Sequence, residues 1–343
     1  MRVGLSKKII TIFFAFVISL LATEILLRIF GIGPWKSAFI NDSVNEKQIY
    51  TSDSTLGWRP KEGNYLLHPA NPKDKQFHLS IEKDGQRKTG KNNGSVDGEI
   101  LVIGGSFSQG WGVNDEDTFS SKLQKKHNNF KVYNFAQAGY GSVQSLLLLE
   151  EKIPKMKSPK LVIYGFIEHH EYRNTARSQW LRTLAKYSGR GTVKTPYGLI
   201  EKNNKLIIHP PVGYINLPLR ESSALITLFE KVYMKNISTK KFPRDSQRKK
   251  QQRIVTEEII LQMKEISNKY GADFVLVLFD WSNDLTKDQY EIFLRENRIK
   301  FVNCKIPLVN EMVLQHDYHP SAKAHTHYKD CLVDYIKKQK LIL

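Results

Sequence analysis

A three-layer α/β/α fold is predicted, built on a central, mainly parallel five-stranded sheet and preceded by an N-terminal transmembrane helix. Three observations predict it. Compact apolar runs rich in β-branched residues recur five times between residues 99 and 304. Each is compact and mostly apolar, as parallel strands covered on both faces should be. Segments of helical length alternate with them, which favours a sheet between two helical layers. Finally, the chain opens on a long apolar run behind Arg2, Lys7 and Lys8.

Taken in order, residues 1–30 read as a membrane anchor or signal segment. Residues 9–22 form an uncharged, mostly apolar run, and Ile25, Leu26, Leu27, Ile29 and Phe30 extend it past Thr23 and Glu24. At that length it spans a bilayer, and no small-x-small cleavage pattern follows, which favours an uncleaved anchor over a signal peptide. Glu24 and Arg28, four apart, can pair on one helix face near the outer interface. Basic residues ahead of the run place the N-terminus in the cytoplasm. The rest of the chain is then expected on the extracytoplasmic, periplasmic side of the cytoplasmic membrane, held by a single pass.

Residues 31–96, rich in Lys, Asn, Asp, Pro and Gly, read as a partly ordered lead-in with islands at residues 57–60 and 77–81. Strands are expected at 99–104, 131–136, 160–166, 273–280 and 300–304. Helices are expected near 117–127, 142–152, 254–270, 286–297 and 321–338, with Thr118 or Asp117 capping the first and Ser321 starting the last. Residues 97–343 are thus one α/β domain, with an insertion at about 171–252. Within it, residues 199–208 around Asn203-Asn204 resemble a hairpin, and residues 222–234 a helix.

At 343 residues and 41% hydrophobic, the chain can bury a full core. Its formal net charge of +18 is concentrated in residues 231–253, which include Lys240, Lys241, Arg244, Arg248, Lys249 and Lys250. Tyr233 and Phe242 are the only aromatics in that basic run, too few for the interleaved stacking that nucleic-acid binding would want, so no nucleic acid is expected as a partner. An anionic lipid surface, an acidic polysaccharide or simply a solvated mobile loop remain as readings. Cys304 and Cys331 are compatible with a disulfide or with two buried thiols. Gly110-x-Gly112 is too short for a dinucleotide fingerprint, and no cofactor is expected.

The chemistry concentrates at strand ends. Ile100-Leu101-Val102-Ile103 runs into Gly104-Gly105-Ser106, where glycines permit the sharp turn that lifts a serine above the carboxyl edge of a sheet. Gly-Gly-Ser also suits an ordinary strand-to-helix turn. More than two hundred residues later comes His316-Asp317-Tyr318-His319-Pro320, a histidine with a carboxylate nearby to hold its tautomer.

These residues resemble the SGNH/GDSL hydrolases, a flavodoxin-like fold family. Residues 100–119 are similar to the family's first block, in which Gly-Asp-Ser supplies the nucleophile. Val132-Tyr133-Asn134-Phe135-Ala136-Gln137-Ala138-Gly139-Tyr140-Gly141 resembles the second, whose glycine donates a backbone N–H to the oxyanion. Asp317-Tyr318-His319-Pro320 resembles the last. The resemblance, over residues 97–338, implies Ser106 as nucleophile, His319 as base, Asp317 as the orienting acid, and Ser106 and Gly139 as oxyanion donors. Gly105 stands where the family usually has Asp. Asp317 and His319 are one residue apart where many members have two, a spacing similar to that of proteins that acetylate exopolysaccharides. Gly165-Phe166-Ile167-Glu168-His169-His170 replaces the third block, so the oxyanion asparagine aligns with His169, or with His170 if the alignment shifts by one. An imidazole N–H can make the same hydrogen bond.

The resemblance implies a serine esterase acting on short acyl, chiefly acetyl, esters of a cell-envelope glycan or lipid. With a sugar hydroxyl in place of water the same residues make an O-acyltransferase. That reading requires a multi-spanning acyl-transport partner, because one anchor helix cannot deliver acyl groups. Trp111 and Tyr140, beside the blocks, and His170 are potential substrate contacts, though such aromatics also serve as packing. Two other classes compete. His169, His170, Glu171, His316, Asp317 and His319 could converge on a metal, but no His-x-x-x-His or similar spacing is present. A non-catalytic binding protein would not need the Ser106, Asp317 and His319 set. His325 and His327, on the last helix, are expected at the surface.

Overall fold

The structure, a computed structural model, describes residues 2–37, 48–68, 74–92, 96–187, 193–201, 203–281, 289–316 and 318–342, with side chains from residue 7 onward. Asp317 therefore lies outside the described residues. Residues 286–288 of the helix expected at 286–297 also lie outside them; the rest of that segment holds the shorter helix α9 below.

Helix α1 (Arg2–Ile29) contains a 23-residue apolar stretch, Lys7–Ile29, none of it buried against the rest of the chain. At 1.5 Å per residue this is about 35 Å, enough to cross a hydrocarbon core of about 30 Å. Two antiparallel hairpins follow: β1 (Tyr50–Asp53) with β2 (Gly57–Pro60), and β3 (Gly63–Leu67) with β4 (Phe77–Ile81). The lead-in is thus more ordered than its composition suggests. Ile49, Tyr65, Leu67, Phe77, Leu79 and Ile81 bury a small core of their own, closed by Trp111.

The central sheet begins with β5 (Gly98–Gly104), followed by α2 (Ser106–Gln109), α3 (Phe119–Lys126), β6 (Phe130–Asn134), α4 (Ser142–Lys152) and β7 (Pro159–Phe166). The insertion holds α5 (His170–Asn174), α6 (Ser178–Tyr187), the hairpin β8 (Thr195–Ile200) and β9 (Leu206–Val212), and α7 (Ala224–Asn236). Then come α8 (Asp245–Lys269), β10 (Asp273–Leu278), α9 (Glu291–Glu296), β11 (Lys300–Asn303) and α10 (Ala322–Gln339).

The five strands are all parallel, in the order β11-β10-β7-β5-β6. Alternate residues serve the two faces. Leu101 and Ile103 of β5 meet Val143, Leu146 and Leu149 of α4 and Ile259 and Met263 of α8. Ile100 and Val102 meet Phe119 and Leu123 of α3 and Tyr328 and Leu332 of α10. After β6 the chain crosses back over β5 to build β7. The carboxyl ends of β5 and β7 therefore flank the point where the winding reverses, the place such sheets hold ligands.

Three sequence expectations are corrected, and the state of the two cysteines, left open by the sequence, is decided. The basic run is not a mobile loop. Residues 231–253 are largely helical, and α8 starts nine residues earlier than its apolar pattern. Arg248 is fully buried, donating to the carbonyls of Thr175, Ala176 and Pro243, so it is structural. Cys304 and Cys331 form a disulfide between the end of β11 and α10. His325 is buried rather than exposed: its ring lies parallel to Phe119 and its Nδ1 accepts the Phe119 N–H at 3.3 Å. Trp111, offered as a substrate contact, packs edge-on against Phe77 in the lead-in core.

Burial holds His325 well below the ordinary histidine value of 6.5, with Arg87 and Lys122 adding to the effect. The unfolded chain then takes up this proton first as pH falls. The stability tied to a neutral His325 is complete above 6.5 and is lost below it, by up to about 1.4 kcal/mol per pH unit. Unfolding free energies of wild type and His325→Gln, measured from pH 8 down to about 5, should show a shallower decline in the variant. Parallel declines would contradict this role.

Candidate functional site

Strand β5 is buried along its whole length and ends on glycines for steric reasons. Gly104 has φ +146°, and a Cβ there would sit 2.3 Å from Ser108 Oγ and 2.7 Å from the Gly165 carbonyl of β7. The chain then turns through Gly105 into the single-turn helix α2, closed by Gly110 in the left-handed conformation. Ser106 is the first residue of that helix, 4% exposed. Its Oγ lies 2.8 Å from His319 Nε2.

His319 is presented by a loop pinned at both sides. Leu314 N–H donates to the His319 carbonyl, Ser321 N–H donates to Met312 O, and Val313 bridges Pro320. Phe107 lies edge-on to the His319 ring, with centroids 5.6 Å apart. Tyr318 adopts φ +59°, a left-handed geometry costly for a bulky residue and common where a loop is shaped around a site. His316 turns away and pairs with Asp74 through Nδ1.

Gly139 follows β6, with φ +81° and so close to Trp58 that a Cβ would lie 3.1 Å from its ring. Only glycine fits without strain. The loop is clipped to the serine turn by Gln109, which is fully buried. Gln109 Nε2 donates to Gln137 Oε1 at 2.7 Å, and its Oε1 accepts from Ala138 N–H at 2.9 Å. Among the described residues, the backbone N–H groups of Ser106 and Gly139 have no backbone acceptor.

His169 and His170 separate sharply. His169, just beyond β7, is exposed at the rim, its ring 5.5 Å from Tyr172 and 5.6 Å from Trp281. Partial desolvation, with Arg173 and His319 nearby, holds it below its ordinary value against the pull of Asp280. Trp281, which it meets edge-on, stacks on Phe107, and Phe107 in turn lies edge-on to His319. His170 is 1% exposed and is no substrate contact: Nδ1 is 2.8 Å from the Tyr164 hydroxyl. Its Nε2 would lie 2.8 Å from a Cβ at Gly105. His170, the Tyr140 carbonyl and Arg173 thus fill the space that a side chain at Gly105 would need. Burial, reinforced by Arg173, pushes His170 well below 6.5.

Tyr140 is likewise structural. It is 1% exposed, with its hydroxyl donating to Trp58 O and its ring edge-on to Trp58. Among the described residues no group of three or more His, Cys, Asp or Glu side chains gathers as for a metal. Glu171 instead accepts from Tyr290 and Gln252.

Two residues lacked a sequence signal. Asn174 Oδ1 accepts from Ser142 and Val143 N–H, fixing the start of α4 against the insertion. Arg173 is buried, donates Nη1 to Tyr140 O at 2.9 Å, and stacks over Trp180 at 4.6 Å. No carboxylate pairs with it among the described residues, and Nη1 would lie 3.4 Å from a Cβ at Gly105. An uncompensated cation beside the serine turn favours negative charge developing there. Neither residue belongs to a periodic pattern, so only the assembled site reveals them.

No protein-family model and no curated protein matches the sequence. Solved structures do resemble the fold. A lipolytic protein of the G-D-S-L family from Veillonella parvula is 8% identical, with TM-score 0.40, over 70% of this chain and 98% of that one. A catalytic mutant of an acetylxylan esterase from Geobacillus stearothermophilus is 10% identical, with TM-score 0.38, over 71% and 95%. A psychrotrophic esterase from Pseudoalteromonas is 13% identical, with TM-score 0.36, over 71% and 98%.

Arg173→Met should separate site from scaffold. Removing a buried cation without a counter-ion relieves a desolvation cost that offsets the lost hydrogen bond, so the melting temperature should change little. Ester turnover should fall by about tenfold or more as the positive field is lost. Unchanged turnover would show that Arg173 only packs.

Proposed function

We propose that the chain is a membrane-anchored serine esterase of the SGNH/GDSL type, removing short acyl groups, acetyl foremost, from a cell-envelope glycan or lipid. The observation that carries this reading is the 2.8 Å contact between Ser106 Oγ and His319 Nε2 at the carboxyl edge of the sheet. His319 takes the hydroxyl proton as Ser106 attacks the ester carbonyl. The tetrahedral oxyanion is held by the N–H groups of Ser106 and Gly139. Collapse expels the alcohol, which takes the proton from His319, and leaves an acyl-serine. Water, deprotonated by His319, then releases the acid and restores the serine. Asp317 orients the base, as its place in the Asp-x-His motif implies. His169 supplies the third oxyanion donor, consistent with its neutral state and its position on the rim.

Two features support an extracytoplasmic site. Arg2, Lys7 and Lys8 precede the apolar span, which directs the N-terminus to the cytoplasm. The Cys304–Cys331 disulfide belongs in an oxidising compartment. The single residue between Asp317 and His319 favours a second reading, O-acyl transfer to a sugar hydroxyl fed by a multi-spanning acyl-transport partner.

The test is hydrolysis of p-nitrophenyl acetate by the full-length protein in detergent, with and without oligosaccharide acceptors. Ser106→Ala should abolish turnover and leave the melting temperature nearly unchanged; activity within about tenfold of wild type would refute a serine mechanism. His169→Asn should keep substantial activity and His169→Ala should lose about two to three orders of magnitude. Wild-type turnover in His169→Ala would remove His169 from the oxyanion site. Acyl groups appearing on the acceptor would establish transfer over hydrolysis.

A further inference from the structure

A second feature lies on the face of α6 turned away from the serine. Trp180 and Leu184 of α6 join the main core. Ser178, Arg182 and Lys186, one helical turn apart, instead line a cavity of about 420 Å³ with Tyr214 and, from α7, Lys231 and Lys235. Four cations border it and no carboxylate does. Glu230, the nearby acid, is buried beneath and accepts the Leu217 N–H. Tyr214 is 6% exposed, with its hydroxyl beside the Arg182 side chain, whose buried Nε has no hydrogen-bond partner among the described residues. Burial and the neighbouring Arg182 hold Lys186 below its ordinary value.

The cavity's location suggests what fills it. Glu24, within the apolar span of α1, accepts hydrogen bonds from Ser223 Oγ and from the N–H groups of Ala224 and Leu225. Arg28, paired with Glu24, donates to Ser222 O. The start of α7 is therefore tied to the end of the anchor. Beside it, Leu219 is 70% and Phe229 56% exposed, and Val232 and Tyr233 are also exposed between Lys231 and Lys235. Apolar and aromatic side chains interleaved with lysines suit the boundary between headgroups and acyl chains.

We propose that the cavity between α6 and α7 binds the phosphate of an anionic phospholipid headgroup. The lipid source rests on the membrane-anchored reading above; the affinity for phosphate does not. The cations supply attraction, and the Tyr214 hydroxyl and Arg182 N–H supply directed donors.

The experiment uses the full-length protein in detergent micelles, titrated with phosphatidylglycerol or phosphatidylcholine of matched chains and read by native mass spectrometry. Wild type should retain phosphatidylglycerol preferentially. In Lys231→Ala/Lys235→Ala that affinity should weaken by about thirtyfold, about fivefold per lysine. Lys337→Ala/Lys338→Ala, exposed at the far end of α10, should match wild type. Ester turnover should be unchanged in both variants. Equal lipid affinity in all three proteins, or equal loss in both variants, overturns the lipid assignment. In a second arm, inorganic phosphate should raise the melting temperature of wild type, relative to chloride, and not that of Lys231→Ala/Lys235→Ala. Phosphate stabilisation without lipid retention would overturn the lipid source and assign a soluble phosphate. No effect in either arm overturns the site. Fractionation of cells reports separately on the anchor, so its failure is distinguishable from failure of the cavity.

Discussion

The hydrogen bond between Ser106 and His319 joins positions 213 residues apart, and much of the architecture serves to close that distance. A rigid, fully buried β5 aims the serine. On the other side, α10 begins immediately after the His319 loop and is locked to α3 by His325, whose Nδ1 accepts the Phe119 N–H while the rings stack. Helix α3 follows the serine turn in the chain, so His325 couples the segments that carry the two reacting groups. A neutral histidine does this because the accepting nitrogen must be unprotonated, and complete burial keeps it so.

The lead-in contributes more to this site than its composition suggests. Arg87, wholly buried, donates to the carbonyls of Gln109, Gly110 and Val113 and pairs with Asp115, holding the loop that leaves the serine helix. Through Asn134 it also extends pairing from the edge of β6. Trp58, from the first hairpin, limits the space at Gly139 and receives the Tyr140 hydroxyl on its carbonyl. The wall of the Gly139 loop is thus built partly by residues that precede the sheet.

Elements buried on both faces were the most legible in the sequence. The five strands fall within two residues of their apolar runs because a parallel sheet between two layers leaves no polar positions to blur them. Thr118 and Ser321 marked helix starts, since their hydroxyls satisfy otherwise orphaned N–H groups. Legibility failed where polar side chains are buried. Arg248 made the start of α8 resemble a solvated loop, and His325 resembled a surface residue on a polar helix. The short strand β1, with none of its four residues buried, carries too few apolar positions to register. Within the site, the turn glycines and the Asp-x-His spacing are local signals that marked Ser106 and His319, whereas Gly139 was implied by the resemblance of residues 132–141. Arg173 and His170, which crowd Gly105 from below, depend on the packing of α5 and leave no such signal.

The central claim is that Ser106, activated by His319, is the nucleophile. Labelling the full-length protein with a fluorophosphonate, followed by peptide mapping, tests this most directly, because the reagent is captured by an activated serine and not by an ordinary hydroxyl. The account predicts one adduct, on the peptide bearing Ser106, and its disappearance in His319→Ala. An adduct on another residue, or undiminished labelling of Ser106 without His319, would contradict it.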